Sequence, residues 1–209
     1  MNSKIIIPII IIIISAVTVF LIPEESSMPS SENLYQSGLT FYDVEKIKTS
    51  LSEENIFMST PSAVTDHTIG NYCAVNYDIL SKITYCTTTA IQGSDGRSLG
   101  NISMGGVPDN PIMAIALVES SPYINSKSDE VQIVFETMIE SLVCDCWDEK
   151  QPGDFESIAS WIDTAEIKFG EASRTIPLKS TVTGMTDETL VLEITYKNDS
   201  YFWTLIILK

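Results

Sequence analysis

Between Lys4 and Pro23 the chain carries eighteen consecutive uncharged residues, mostly isoleucine and interrupted only by Pro8, Ser15 and Thr18. No other stretch restricts the chain so strongly. At 1.5 Å rise per residue, the run makes about 27 Å of helix, close to the hydrocarbon thickness of a bilayer. A buried core helix is the alternative, but few such helices go this long without a charge. Pro8 is tolerable in a first turn. A cleaved signal peptide has a shorter apolar run ending in a small-x-small site. Here the run ends Val19-Phe20-Leu21-Ile22-Pro23, with bulky groups where a peptidase wants small ones. Residues 1–22 are therefore expected to be an uncleaved, single-pass transmembrane signal-anchor.

Orientation follows from the flanks. Lys4 lies on one side and Glu24 and Glu25 on the other, so the positive-inside rule puts the start in the cytoplasm and residues 23–209 outside the cell. Without Lys4, 11 of the 12 basic residues remain against 28 acidic ones, a formal charge of −17 on that outer part. Such a surface repels nucleic-acid phosphates, so no nucleic-acid partner is expected. The expected partners are the lipid bilayer, through residues 5–22, and a protein of the envelope or of a membrane complex.

Residues 23–38 are rich in Ser, Glu and Pro and nearly free of periodic apolar positions, the composition of a flexible tether. Residues 39–209 are long enough to bury one sizeable core. Their pattern predicts a single α+β domain, a mainly antiparallel sheet packed with about three helices. The first helix is capped by Thr40, buries Val44, Ile47 and Leu51, and ends near Glu54. Residues 57–120 are rich in Thr, Val, Ile, Tyr and Gly and divide at turn clusters into at least four short strands. Two hairpins are expected, 72–77 with 82–91 and 82–91 with 98–104, followed by a buried strand over 112–118. A second helix starts at Ser128 or Asp129 and buries Val131, Phe135, Met138 and Leu142. A third starts at Asp154, with Phe155, Ile158, Ile162, Ala165 and Phe169 inward and Trp161 beside them. The end reads as a meander of strands 175–183, 189–197 and 201–208. With a tight turn at Lys197-Asn198-Asp199-Ser200, Tyr196 opposes Tyr201, Ile194 opposes Trp203 and Leu192 opposes Leu205. Phe202, Ile206 and Leu208 make the other face of the last strand apolar too, so a second layer or a partner must cover it.

The four cysteines are Cys73, Cys86, Cys144 and Cys146, and an even count in an extracytoplasmic domain argues for disulfides. Three pairings are possible. A hairpin turning at Ile79 and Leu80 sets Cys73 opposite Cys86, and such a bond restrains the unfolded chain by about 3 kcal/mol. On an ideal helix, residues two apart point about 200° from one another, so a direct Cys144–Cys146 bond requires the helix to end there. The other pairings tie the hairpin cysteines to the Cys-x-Cys and staple a helix onto the sheet. As thiolates, Cys144 and Cys146 form a candidate soft-metal or redox site, with the single histidine, His67, as a third candidate ligand. No His or Cys stands at the usual spacing beside them, so no metal and no cofactor is expected.

Asp145, Asp148, Glu149, Asp154 and Glu156 crowd one loop, but their spacing fits no EF-hand and a solvated acidic turn is the plainer reading. Glu136 and Glu140, four apart on a helix, read as a hydrated face rather than paired catalytic carboxylates. Asn101-Ile102-Ser103-Met104-Gly105 has Asn where a nucleophile elbow needs Gly, and His67 lies in a polar loop. No catalytic residue is assigned. Two glycosylation sequons occur, at Asn101 and at Asn198.

The isoleucine-heavy anchor and its Ser/Glu/Pro tether resemble the start of many archaeal surface proteins. An anchor followed by a β-rich domain is similar to the plan of pilin-like and motor-stator proteins. That resemblance is compositional, covers only the anchor and tether, and carries over no functional residue. The expectation is a membrane-anchored extracytoplasmic binding or structural module, not an enzyme. The alternative is a metal-binding or redox protein using the Cys-x-Cys pair.

Overall fold

The computed structural model describes residues 39–65, 67–73, 77–172 and 175–209. The expected anchor and tether lie outside the described residues, within which no helix is long and apolar enough to cross a membrane. The described chain is α+β, with one antiparallel sheet of eight strands and six helices.

Two three-stranded meanders build the sheet. The first comprises β3 (Tyr85–Gln92), β4 (Ser98–Val107) and β5 (Asn110–Ser120); the second comprises β6 (Leu178–Val182), β7 (Thr189–Lys197) and β8 (Ser200–Leu208). They join where β5 pairs β8, with Met113 opposite Leu208 and Val118 opposite Trp203. Two short strands, β1 (Phe57–Met58) and β2 (Ser62–Ala63), both pair β3. The β7–β8 register is the expected one, Tyr196 to Tyr201, Ile194 to Trp203 and Leu192 to Leu205. Asn198 and Asp199 between them both have positive φ, 53° and 62°, as a two-residue type I′ turn requires.

Three long helices, α1 (Asp43–Glu53), α4 (Ser128–Leu142) and α6 (Ile158–Glu171), cover one face of the sheet. Helix α4 packs on β5 and β8, α6 on β6 and β7, and α1 on α4 and β1. Val44, Ile47 and Leu51 of α1 and Val131, Phe135, Met138 and Leu142 of α4 are buried, as their 3.6-residue spacing predicts. The helix starts differ from expectation. At α1 the roles are exchanged: the Asp43 carboxylate accepts from the Thr40 backbone N–H at 2.7 Å and from its hydroxyl at 3.0 Å. Neither Ser128 nor Asp129 caps α4, whose flanking residue is Lys127. Helix α6 begins at Ile158 rather than Asp154, because Ser157 and Ser160 form a reciprocal capping box and Pro152–Asp154 folds into a separate 3-10 turn. The strand expected over 175–183 is shorter, Leu178–Val182.

The described residues of the strand expected over 72–77 are not in a strand: Tyr72 ends one single-turn helix, α2 (Ile69–Tyr72), Cys73 lies in a bend, and Tyr77 starts another, α3 (Tyr77–Leu80). This segment supplies the second layer that the final strand requires. Ile69, Cys73 and Ile83 form a smaller core with Cys86, Met113, Ile115 and Ile206 on the sheet face opposite the long helices. Cys73 bonds Cys86, with a Cα–Cα distance of 6.2 Å, from the end of α2 rather than from an opposing strand. The pair is as expected and the reason is not. Gly105 faces Cys86 across β3 and β4, and a Cβ there would come within 2.9 Å of the Cys73 Cβ. The glycine is the seat on which the disulfide lies, not the turn that its neighbourhood suggests.

Candidate functional site

Helix α4 ends at Leu142, and Val143 leaves the helical path at φ −115°, ψ −78°. The chain then turns through Cys144-Asp145-Cys146 into the single-turn helix α5 (Trp147–Lys150). Because the helix has stopped, the two sulfurs no longer point apart, and Cys144 bonds Cys146 across a Cα–Cα distance of 5.2 Å. The pairings that would staple a helix onto the sheet are thereby excluded, and no cysteine is free. A bond between residues two apart removes little loop freedom, about half the entropic restraint of the longer Cys73–Cys86 link.

Trp147 anchors this junction. Its indole N–H donates to the Phe155 carbonyl at 3.1 Å, and its ring stacks on Trp161 of α6 with centroids 5.7 Å apart. Nothing in residue spacing singled out Trp147. The available signal was a tryptophan directly after a cysteine in a loop between two amphipathic helices, since a buried indole needs a partner for its N–H.

Above the anchored junction lies a depression of about 360 Å³ walled by Glu136, Glu140, Cys144, Asp145, Cys146 and Asp148. The fold thus gathers the helical carboxylate pair, part of the acidic loop and the Cys-x-Cys at one place. Partial desolvation pushes the Glu140 carboxyl above its ordinary value of 4.5, helped by the charges of Asp145 and Glu136 and opposed by Lys46. The Lys46 ammonium is held nearby, donating to the Ser141 carbonyl at 3.2 Å. A folded-state value above the unfolded one means that the stability tied to this proton is present below about pH 4.5 and is lost as pH rises through the folded value. Glu140→Gln is therefore expected to stabilise the domain at neutral pH, read as a higher urea midpoint, by no more than about 0.5 kcal/mol since solvent screens an open carboxylate. Below about pH 4 the substituted and parent chains should unfold together. A midpoint that falls at neutral pH contradicts this account.

Among the described residues, no group of three or more His, Cys, Asp or Glu side chains is placed to hold a metal ion. His67 is exposed and lines a different hollow, with Ile69, Leu80 and Ile83, so it does not join Cys144 and Cys146. The two sequons also part. Asn198 is exposed at the β7–β8 turn. Asn101 lies within paired β4, where its amide N–H donates to Ser103 Oγ at 3.0 Å and to Thr88 Oγ1 at 3.4 Å. It borders a shallow, polar hollow on the second sheet face with Lys179 and Glu193, whose ion pair spans 2.8 Å.

No family model matches this sequence, and no curated protein or solved structure matches it.

Proposed function

We propose that the chain is a membrane-anchored extracytoplasmic binding or structural module, held in the bilayer by residues 5–22 and engaging a protein of the envelope or of a membrane complex. The observation that carries this reading is the pairing of all four cysteines, which suits an oxidising compartment and not a reducing cytosol. The acidic surface supports a partner that presents basic side chains. The uncharged run before Pro23 supports the anchor.

The reading has a direct test. Protease added to intact cells expressing the full chain should remove the folded domain. Denatured protein handled without reductant should show no free thiol. Protection of the domain in intact cells, or four titratable thiols, would overturn the proposal.

A second reading is favoured by one feature. Cys144 and Cys146 are only partly buried and line the acidic depression, whereas Cys73 and Cys86 are fully buried. Thiol chemistry at this pair is the alternative. Metal binding would first require its reduction, because a thiolate, not a disulfide sulfur, is the ligand.

A further inference from the structure

The two disulfides lie in opposite surroundings. Cys73 and Cys86 are 0% exposed, sealed between α2 and the sheet and resting on Gly105. A reagent reaches them only if that second layer lifts. Cys144 and Cys146 sit in the break between α4 and α5, packed on the edge of the core but only partly buried, and form one wall of an open depression. Opening a bond between residues two apart requires no separation of secondary structure, and that bond restrains the chain about half as much as the longer link.

The approach to these sulfurs is charged. Glu136, Glu140, Asp145, Asp148 and Glu149 line it, and Lys46, bound to the Ser141 carbonyl, is the cation acting on Glu140. An attacking thiolate brings one negative charge of its own, so the charge on the rest of the reagent decides how strongly it is repelled.

We propose that Cys144–Cys146 is a thiol–disulfide exchange site that accepts small thiols bearing a cationic group in preference to those bearing an anionic one. In the first step a thiolate bonds to one protein sulfur, the Cys144–Cys146 bond breaks, and the other sulfur leaves as a thiolate and takes a proton from water. A second small thiol, as its thiolate, then attacks the mixed disulfide. It departs as the small symmetric disulfide and leaves both cysteines as thiols. Two electrons pass from two small thiols to the protein bond. This inference rests on the second reading's pair of sulfurs and not on the anchor. Loss of thiol selectivity and failure of the protease test are therefore separate results.

The experiment treats the full chain, in neutral detergent, with cysteamine or 2-mercaptoethanesulfonate at matched thiolate concentration. Acid quenching, alkylation of new thiols and peptide mass mapping then locate the opened bond. The expected result is alkylation of Cys144 and Cys146 while Cys73 and Cys86 stay unlabelled. At about 0.01 M salt cysteamine should act about tenfold faster, relative to the ratio for a small uncharged disulfide, and the advantage should vanish near 1 M salt. A Glu136→Gln, Glu140→Gln chain should keep the order of labelling and lose part of the advantage. Labelling of all four cysteines together, or of none before denaturation, overturns the exchange site. Equal normalised rates at low salt overturn the charge selection.

Discussion

Alanine at position 100 is expected to cost the domain about 3–5 kcal/mol, a large share of the 5–15 kcal/mol that holds a typical domain together. Gly100 pairs both neighbours in the sheet, opposite Ile91 of β3 and Val118 of β5, and it has φ 151°. A side chain rarely adopts that conformation, and a Cβ built there would run into the Leu117 carbonyl, backbone that cannot swing aside. The chain must then break the β4–β5 pairing at the end where the ladder begins or leave the residue strained. Gly170 in α6 is the contrasting case. A Cβ there meets nothing within 4 Å, so Gly170→Ala should stabilise by about 0.5–1 kcal/mol. Urea unfolding followed by tryptophan fluorescence checks both signs. A parent-like midpoint for Gly100→Ala would show that β4 and β5 do not meet in this register.

The second large effect is expected at Trp203, fully buried in β8 with its indole N–H donating to the Ile124 carbonyl at 3.3 Å. Trp203→Ala removes the ring from between Val118 and Ile194, its partners on either side, and should cost about 3–5 kcal/mol. For a domain of this size that is a fall in Tm on the order of 10 °C. Trp203→Phe keeps most of the volume but strands the Ile124 carbonyl, so a smaller loss of about 1–3 kcal/mol is expected. Calorimetry on the two substitutions separates packing from the hydrogen bond. Equal losses would mean that the hydrogen bond carries the whole effect.

How much of this was legible depends on distance along the chain. The stripes of α1 and α4 were readable because Val44, Ile47 and Leu51, or Val131, Phe135 and Met138, recur within three turns. Helix caps were less legible: Ser128 and Asp129 are good cap residues that the native structure does not use, while Ser157 and Ser160 cap a helix four residues beyond its expected start. The segment after Thr65 misled for a physical reason. Residues 72–77 have the Tyr and Val content of a strand, yet the Cys73–Cys86 bond and the small core around Ile69 and Ile83 hold the neighbouring chain in single helical turns that propensity alone would not sustain.

The candidate site divides in the same way. Its acidic and sulfur-bearing residues were visible as an acidic loop, a helical carboxylate pair and a Cys-x-Cys, whereas Trp147 was not. Their convergence was not, because it needs the end of α4, the Trp147–Trp161 stack and the start of α6 to be in place together.

By itself the sequence determined what lies within a turn or two of each residue. That includes the uncharged run of residues 5–22, the helical stripes, and the β7–β8 register set by Asn198 and Asp199. Only the tertiary structure decided that β5 pairs β8, that Cys73 is sealed while Cys146 is only partly buried, and that the acidic side chains meet at one depression. The reason is physical. Periodicity and turn chemistry act over a few bonds, whereas long-range pairing is chosen by the burial of apolar faces on strands and helices far apart in the chain, and no single one of those faces specifies its partner.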